Sequence, residues 1–212
     1  MPLDAIFLTA LRNELAGQII GLKIDKIQQP EQDQIILSLR GVGAASRLLI
    51  SAGTGDARAH LTVAAFENPQ NPPMFCMLLR KHLTGAKIKS VTQPPLERAL
   101  DFCLDCFDAL GEPCEKHLIV ELLGRYSNII LTSQDGLIID CLRRVDTLMS
   151  ELRQVLPGLY YRLPPAQDKR DPLHITQKEF SALLKGSGTG RTADQWLLDT
   201  FNGLSPLICR EL

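Results

Sequence analysis

Short segments of alternating hydrophobicity, each closed by turn chemistry, restrict this chain more than any other feature. In the first third they fall at 22–29, 34–40, 47–51 and 58–63, separated by Pro30-Glu-Gln-Asp33, Gly41-Val-Gly43 and Gly53-Thr-Gly-Asp56. Period-two alternation marks strands with one buried face, and connections this short can join only antiparallel neighbours. The sequence therefore predicts a meander. A second set follows at 98–107, 116–123, 126–132 and 137–142, with Leu110-Gly-Glu-Pro113 and Ser133-Gln-Asp-Gly136 as hairpin turns.

Helical spacing interrupts the strands twice. Asp4 is a candidate N-cap for a helix at 4–20, in which Phe7, Leu8, Leu11, Leu15 and Ile19 form one apolar stripe. Pro69, Pro72 and Pro73 break the chain before a second helix at 73–85, since proline suits a first helical turn. Its Met74, Phe75, Cys76, Leu78, Leu79 and Leu83 cover most of the circumference, so Met77, Arg80 and Lys81 share the one sector open to water or a ligand. His82 falls on the apolar side and reads as a hydrogen-bonded core histidine. A short helix is expected at 147–155, stopped by Pro157-Gly158, and the polar, proline-rich run 163–172 reads as a linker. Beyond it Thr176 and Glu179 form a capping box, a glycine-rich loop spans 186–190, and helices follow at 192–201 and from Pro206. The expected architecture is α+β: a domain at 1–170 of two antiparallel sheets packed as a sandwich, with helices at its ends, then a helical segment at 171–212. Roughly 40 residues are too few for a helical domain with its own core, so the segment reads as the truncated start of a longer region.

Composition excludes several classes. No apolar run approaches the ~18 residues of a membrane helix, and the N-terminus lacks a basic region and a cleavage site, so a cytoplasmic protein with no membrane partner is expected. Six cysteines without an export signal are expected to stay reduced and mostly buried. A formal net charge of −1 argues against broad attraction to nucleic acid. The charge is uneven, however: Arg80, Lys81, Lys87, Lys89 and Arg98 face only Glu97 between positions 80 and 98. Nucleic acid would meet a patch rather than the whole molecule.

Other constellations are weaker. Cys103, Cys106, Cys114 and His117 suggest zinc, but strand residues three apart point to opposite faces, and no metal is expected there. The glycine-rich loop has no lysine in the P-loop position.

The segments Lys26-Ile-Gln-Gln-Pro30, Glu67-Asn-Pro69, Pro72-Pro-Met-Phe-Cys-Met-Leu-Leu-Arg-Lys-His-Leu83, Glu121-Leu-Leu-Gly-Arg-Tyr-Ser-Asn-Ile-Ile-Leu131 and Val155-Leu-Pro-Gly158, with Pro164-Pro165, together resemble the N-terminal domain of the NFACT family. These are ribosome quality control factors, Rqc2/RqcH homologues once catalogued in bacteria as fibronectin- or fibrinogen-binding proteins such as fibronectin-binding protein A. The resemblance implies a fold like the N-terminal domain of formamidopyrimidine-DNA glycosylases, with the tail from Asn202 beginning a helix-hairpin-helix segment. It also implies a non-catalytic RNA-binding module that engages tRNA and the 50S subunit carrying stalled peptidyl-tRNA, and recruits alanyl-tRNA for C-terminal alanine tailing. No cofactor or small-molecule substrate is implied. The family's Asp-Arg pair for tRNA falls on Glu97-Arg98, with Glu in place of Asp, and Asp4 matches another acidic position. Arg80, Lys81, Arg125 and Asn128 complete the candidate RNA contacts. Two alternatives stand beside this reading. Met1-Pro2 resembles the start of the glycosylases, whose N-terminal proline is a nucleophile, although Leu3 replaces the expected Glu. A fibronectin-binding adhesin would need an export signal or surface anchor, and neither is visible.

Overall fold

The computed structural model describes residues 3–41, 44–165, 167–186 and 190–212. Pro2, on which the glycosylase reading depends, and 187–189 of the glycine-rich loop lie outside the described residues.

The N-terminal part repeats one plan. Helix α1 (Ala5–Ile19) leads into strands β1 (Lys23–Gln28), β2 (Gln34–Gly41), β3 (Ala44–Ser51) and β4 (Arg58–Thr62); helix α2 (Met74–Leu83) leads into β5 (Lys87–Thr92), β6 (Ala99–Phe107), β7 (Pro113–Glu121), β8 (Asn128–Ser133) and β9 (Ile138–Cys141). Each helix ends at a glycine with positive φ, Gly21 and Gly85, the left-handed position that glycine adopts without a Cβ penalty. The units match at a constant offset of 64: Gly21 to Gly85, Lys23 to Lys87, and a bulge between Ile24 and Lys26 to one between Ile88 and Ser90. Alternation alone did not disclose this repeat.

The strands form one nine-stranded sheet in the order β4-β3-β2-β1-β5-β6-β7-β8-β9, which corrects the expected two sheets. The seam is the start of β1 against the start of β5: Lys23 pairs with Lys87, and Gly85 N donates to Ile24 O at 2.7 Å and Ile24 N to Ala86 O at 2.8 Å. A meander pattern identifies neighbours joined by turns, and these two strands are separated by a whole unit of chain. Both halves still enclose one main core, beside a small cluster of Ile119, Ile130, Ile138, Cys141 and Val155 in the second half. Ile24, Leu37 and Leu48 from the first join Leu100, Phe102, Leu118 and Leu131 from the second, with Leu15 and Ile19 of α1 and Leu79 and Leu83 of α2. Helix α1 packs on β5 and β4, and α2 on β1, β6 and β9.

The helix expected at 147–155 is a loop. The Asp146 carboxylate accepts from the backbone of Leu148 and Met149, both at 3.0 Å, which bends the chain, and Val145 pairs with Val155 to close it. Leu148, Met149 and Leu152 are exposed, so no apolar face drives a helix.

Helices α3 (Gln177–Gly186), α4 (Ala193–Thr200) and α5 (Pro206–Glu211) follow. The capping box forms: Thr176 N donates to Glu179 Oε2 at 2.8 Å, and Glu179 N to Thr176 Oγ1 at 3.3 Å. Phe180, Trp196 and Phe201 pack with ring centroids 5.3 to 6.0 Å apart, a small apolar cluster within the segment. The segment is tied back to α1, where Asp4, buried, accepts from Phe7 N at 2.7 Å with one oxygen and from Ser205 Oγ at 2.9 Å with the other. Asp4→Ala is expected to cost about 1–2 kcal/mol in urea unfolding, because it removes a cap and leaves the buried Ser205 hydroxyl proton without its acceptor, although Ser205 Oγ still accepts from Ile208 N. Asp4→Asn should retain most of that stability.

Candidate nucleic-acid interface

Glu97 and Arg98 sit on a turn that the rest of the molecule holds still. Glu97 N donates to Pro94 O at 3.0 Å, closing a four-residue turn with Pro95 and Leu96 at its centre. Leu96 has φ +55°, the one non-glycine residue with positive φ among the described residues. A left-handed leucine costs on the order of 1 kcal/mol and persists only where its surroundings impose it. Here Gln93 Nε2 donates to Ala5 O at 2.8 Å and Glu97 O at 2.9 Å, while Thr9 Oγ1 donates to Gln93 Oε1 at 2.8 Å. Gly203 completes the clamp, since a Cβ there would lie 3.1 Å from Leu96 Cδ2 and 3.2 Å from Ala5 Cβ. Asp4 thus acts behind the turn, by fixing α1 and the Ser205 segment against it.

The Arg98 side chain is exposed, with no hydrogen bond to its guanidinium among the described residues. Glu97 is half-buried, and its pKa is raised, chiefly by burial; the Arg98 charge opposes the shift and the Glu121 charge adds to it. Glu121 itself is buried and bonded on both oxygens: Arg153 Nη1 donates at 3.1 Å, its Nη2 also reaches the carboxylate, and Tyr161 OH donates at 2.9 Å. Burial and Glu121 push the Tyr161 pKa upward, which keeps its hydroxyl a donor.

The sheet brings Arg125 to the same end. Leu122 N donates to Arg98 O at 2.8 Å, and the turn Gly124–Tyr126 follows directly. The exposed Arg125 lies with its guanidinium carbon 4.7 Å from the ring centroid of exposed Tyr126. Tyr126 was not among the candidates; its position beside an arginine in a turn of alternating strands was the available signal.

Three other candidates are occupied or distant. Asn128 is buried with both ends of its amide engaged: Nδ2 donates to Arg143 O at 2.7 Å, and Oδ1 accepts from Ile129 N at 3.0 Å and Arg143 N at 2.9 Å. Its amide is thus committed to the backbone of the bend. Arg80 Nε donates to Ile27 O at 2.8 Å, so that side chain fastens α2 to β1. Lys81 is exposed, but its neighbour His82 is held below the usual histidine range, first by burial and then by the charges of Lys116 and Lys81. Lys116 pairs with Leu104. That position is six residues along β6 from Arg98, about 20 Å at the rise of a strand. The last turn of α2 therefore lies toward the far end of β6.

Exposed guanidiniums on fixed turns, beside an exposed ring, can grip phosphate and stack a base. The class that this fold defines is an α+β domain built on one antiparallel sheet, and no described helix is long and apolar enough to cross a membrane. The chain belongs to the NFACT family: the profile of NFACT N-terminal and middle domains matches residues 4–212. It is 41% identical over 212 residues to the Rqc2 homolog RqcH of Bacillus subtilis, covering all of this chain and 37% of that protein. It is 31% identical over 142 residues to the human ribosome quality control complex subunit NEMF, covering 66% of this chain and 12% of that one. The N-terminal domain of the fibronectin-binding protein PavA of Streptococcus pneumoniae superposes with a TM-score of 0.88 at 31% identity, over 98% of this chain and 77% of that structure. The chain spans less than two fifths of the length of its bacterial relative RqcH.

Proposed function

We propose that this chain is the tRNA-binding N-terminal part of a ribosome quality control factor, and that the Glu97-Arg98 turn is its principal contact. The reading takes its biological setting from the ribosome quality control relatives. Its single structural support is the turn, where a strained leucine, a doubly bonded glutamine and a close glycine fix an exposed arginine beside a half-buried acid. Strain of this kind at an exposed charged turn has a use in recognition, because a preorganised fork loses less entropy on binding. Arg98 would take phosphate or a base edge, Glu97 would orient it or bond a ribose hydroxyl, and Arg125-Tyr126 would supply a second charge and a stacking face. Lys81, farther away, would touch a separate stretch of RNA. In the full-length protein this domain would work on the 50S subunit with stalled peptidyl-tRNA and bring alanyl-tRNA for alanine tailing, with no catalytic step of its own.

Fluorescence anisotropy with tRNA at several salt concentrations tests this. Arg98→Ala is expected to weaken binding about 10-fold and to flatten the salt dependence by roughly one phosphate contact, while Lys178→Ala, on the exposed face of α3, leaves both unchanged. Equal binding by Arg98→Ala would remove the turn from the reading. Preference for damaged duplex DNA with a borohydride-trapped Pro2 adduct would favour the glycosylase alternative, and binding to fibronectin alone the adhesin.

A further inference from the structure

On the face of β6 and β7 turned from the main core, three different metal-binding side chains converge. Strand alternation sends Leu100, Phe102, Leu104 and Cys106 into the core and leaves Asp101, Cys103 and Asp105 on the other face. The register places His117 directly opposite Cys103 and Glu115 opposite Asp105. One donor atom each from Cys103, Glu115 and His117 lies within 4.8 Å of the others. Cys103 Sγ already donates to Glu115 Oε2 at 3.3 Å.

We propose that Cys103, Glu115 and His117 form a binding site for a thiophilic divalent cation of the zinc class, with Asp101 as the residue that orients His117. The set differs from the one first considered: Cys106 is buried in the core, and Glu115 takes the place a second thiol would have held. Ligand atoms around tetrahedral zinc lie about 3.3–3.8 Å apart, given metal–ligand bonds of about 2.0–2.3 Å, so small side-chain rotations would close the group. The Asp101 carboxylate supplies the support that metal-binding histidines ordinarily have. Its oxygens lie 2.9 and 3.0 Å from His117 Nδ1, which leaves Nε2 as the nitrogen for a metal. Three protein ligands leave a fourth position for water or another ligand, and a cleft of about 280 Å³ lined by Asp101, His117, Ile119, Thr132 and Tyr161 adjoins the site.

The cluster also shows how it is balanced without a metal. Lys89 Nζ pairs with Glu115, so an ammonium meets the carboxylate that the metal would take. Burial, with the Glu115 carboxylate beside it, pushes the Cys103 thiol up to about 11. Metal binding would expel the Cys103 proton to solvent and release Lys89 from Glu115. This gives Lys89 a competing role, which a purely structural ion pair would not have.

Titration of the metal-free chain with Co²⁺, followed by Zn²⁺, tests the site. One equivalent of Co²⁺ is expected to bind with thiolate-to-cobalt charge-transfer absorption in the near ultraviolet, which Zn²⁺ then displaces. The absorption should vanish in Cys103→Ser and persist in Cys106→Ser. Asp101→Asn should weaken binding by about 10- to 100-fold, as loss of an orienting carboxylate does elsewhere. Lys89→Met should tighten it severalfold, while Glu115→Gln weakens it. Should Cys103→Ser fail to fold by circular dichroism, the opposite effects of Lys89→Met and Glu115→Gln carry the test. Absorption that survives in a folded Cys103→Ser, the lack of stoichiometric binding, or indifference to both Lys89→Met and Glu115→Gln would overturn the proposal.

Discussion

Arg153→Ala is expected to destabilise the protein by about 3–5 kcal/mol, measured by urea unfolding at neutral pH. The reason is an imbalance that the substitution creates. Glu121 is 1% exposed in its side chain and Arg153 14%, so both charges have left most of their water. With Arg153 gone, the Glu121 carboxylate keeps only the Tyr161 hydroxyl. The loop at 146–152 also loses an anchor, because Arg153 Nε donates to Arg162 O at 2.7 Å. The double substitution Glu121→Gln with Arg153→Met removes both charges and should recover most of the loss, since a buried pair is worth little more than a well-packed neutral replacement. A loss under about 1 kcal/mol for Arg153→Ala would show that water reaches Glu121 freely. Because Glu121 pairs with Ala99, one residue beyond Arg98, the same variant should also loosen the Glu97-Arg98 turn.

Leu79→Ala is expected to cost about 2–5 kcal/mol and to lower the urea midpoint of the whole β-sheet as one transition. Leu79 is fully buried in the core shared by both halves, on the helix that packs on β1 from the first and on β6 and β9 from the second. Two sheets with separate cores would unfold in two steps, with only one of them shifted. Far-ultraviolet circular dichroism should therefore show the strands of both halves melting in one step in the variant. A strand signal that splits into two steps would contradict the shared core.

Much of this architecture was legible because strand alternation and turn chemistry are local. Each of the first four expected strands overlaps an observed one, and so do those of the second set; the helices at 4–20 and 73–85 are within two residues of their observed ends. Asp4 was legible as a cap for the same reason. The loop at 146–152 was not, because the Asp146 turn and the Val145–Val155 pairing compete with a modest helical pattern. At the candidate interface, residue type suggested Asn128 and Arg80 as readily as Arg98. Their contacts separate them: the Asn128 amide and Arg80 Nε are bonded to backbone, while the Arg98 side chain is exposed.

The sequence by itself determined the elements, the turns between them and the presence of Glu97-Arg98 after a Pro-Pro break, since each depends on neighbours a few residues away. Tertiary structure alone decided that β1 and β5 join two units into one sheet, and that Gln93, Ala5 and Gly203 hold Leu96 in a left-handed turn. It also decided that Cys103, Glu115 and His117 share a face. Those arrangements depend on contacts between residues from 12 to more than 100 positions apart, which no local pattern encodes.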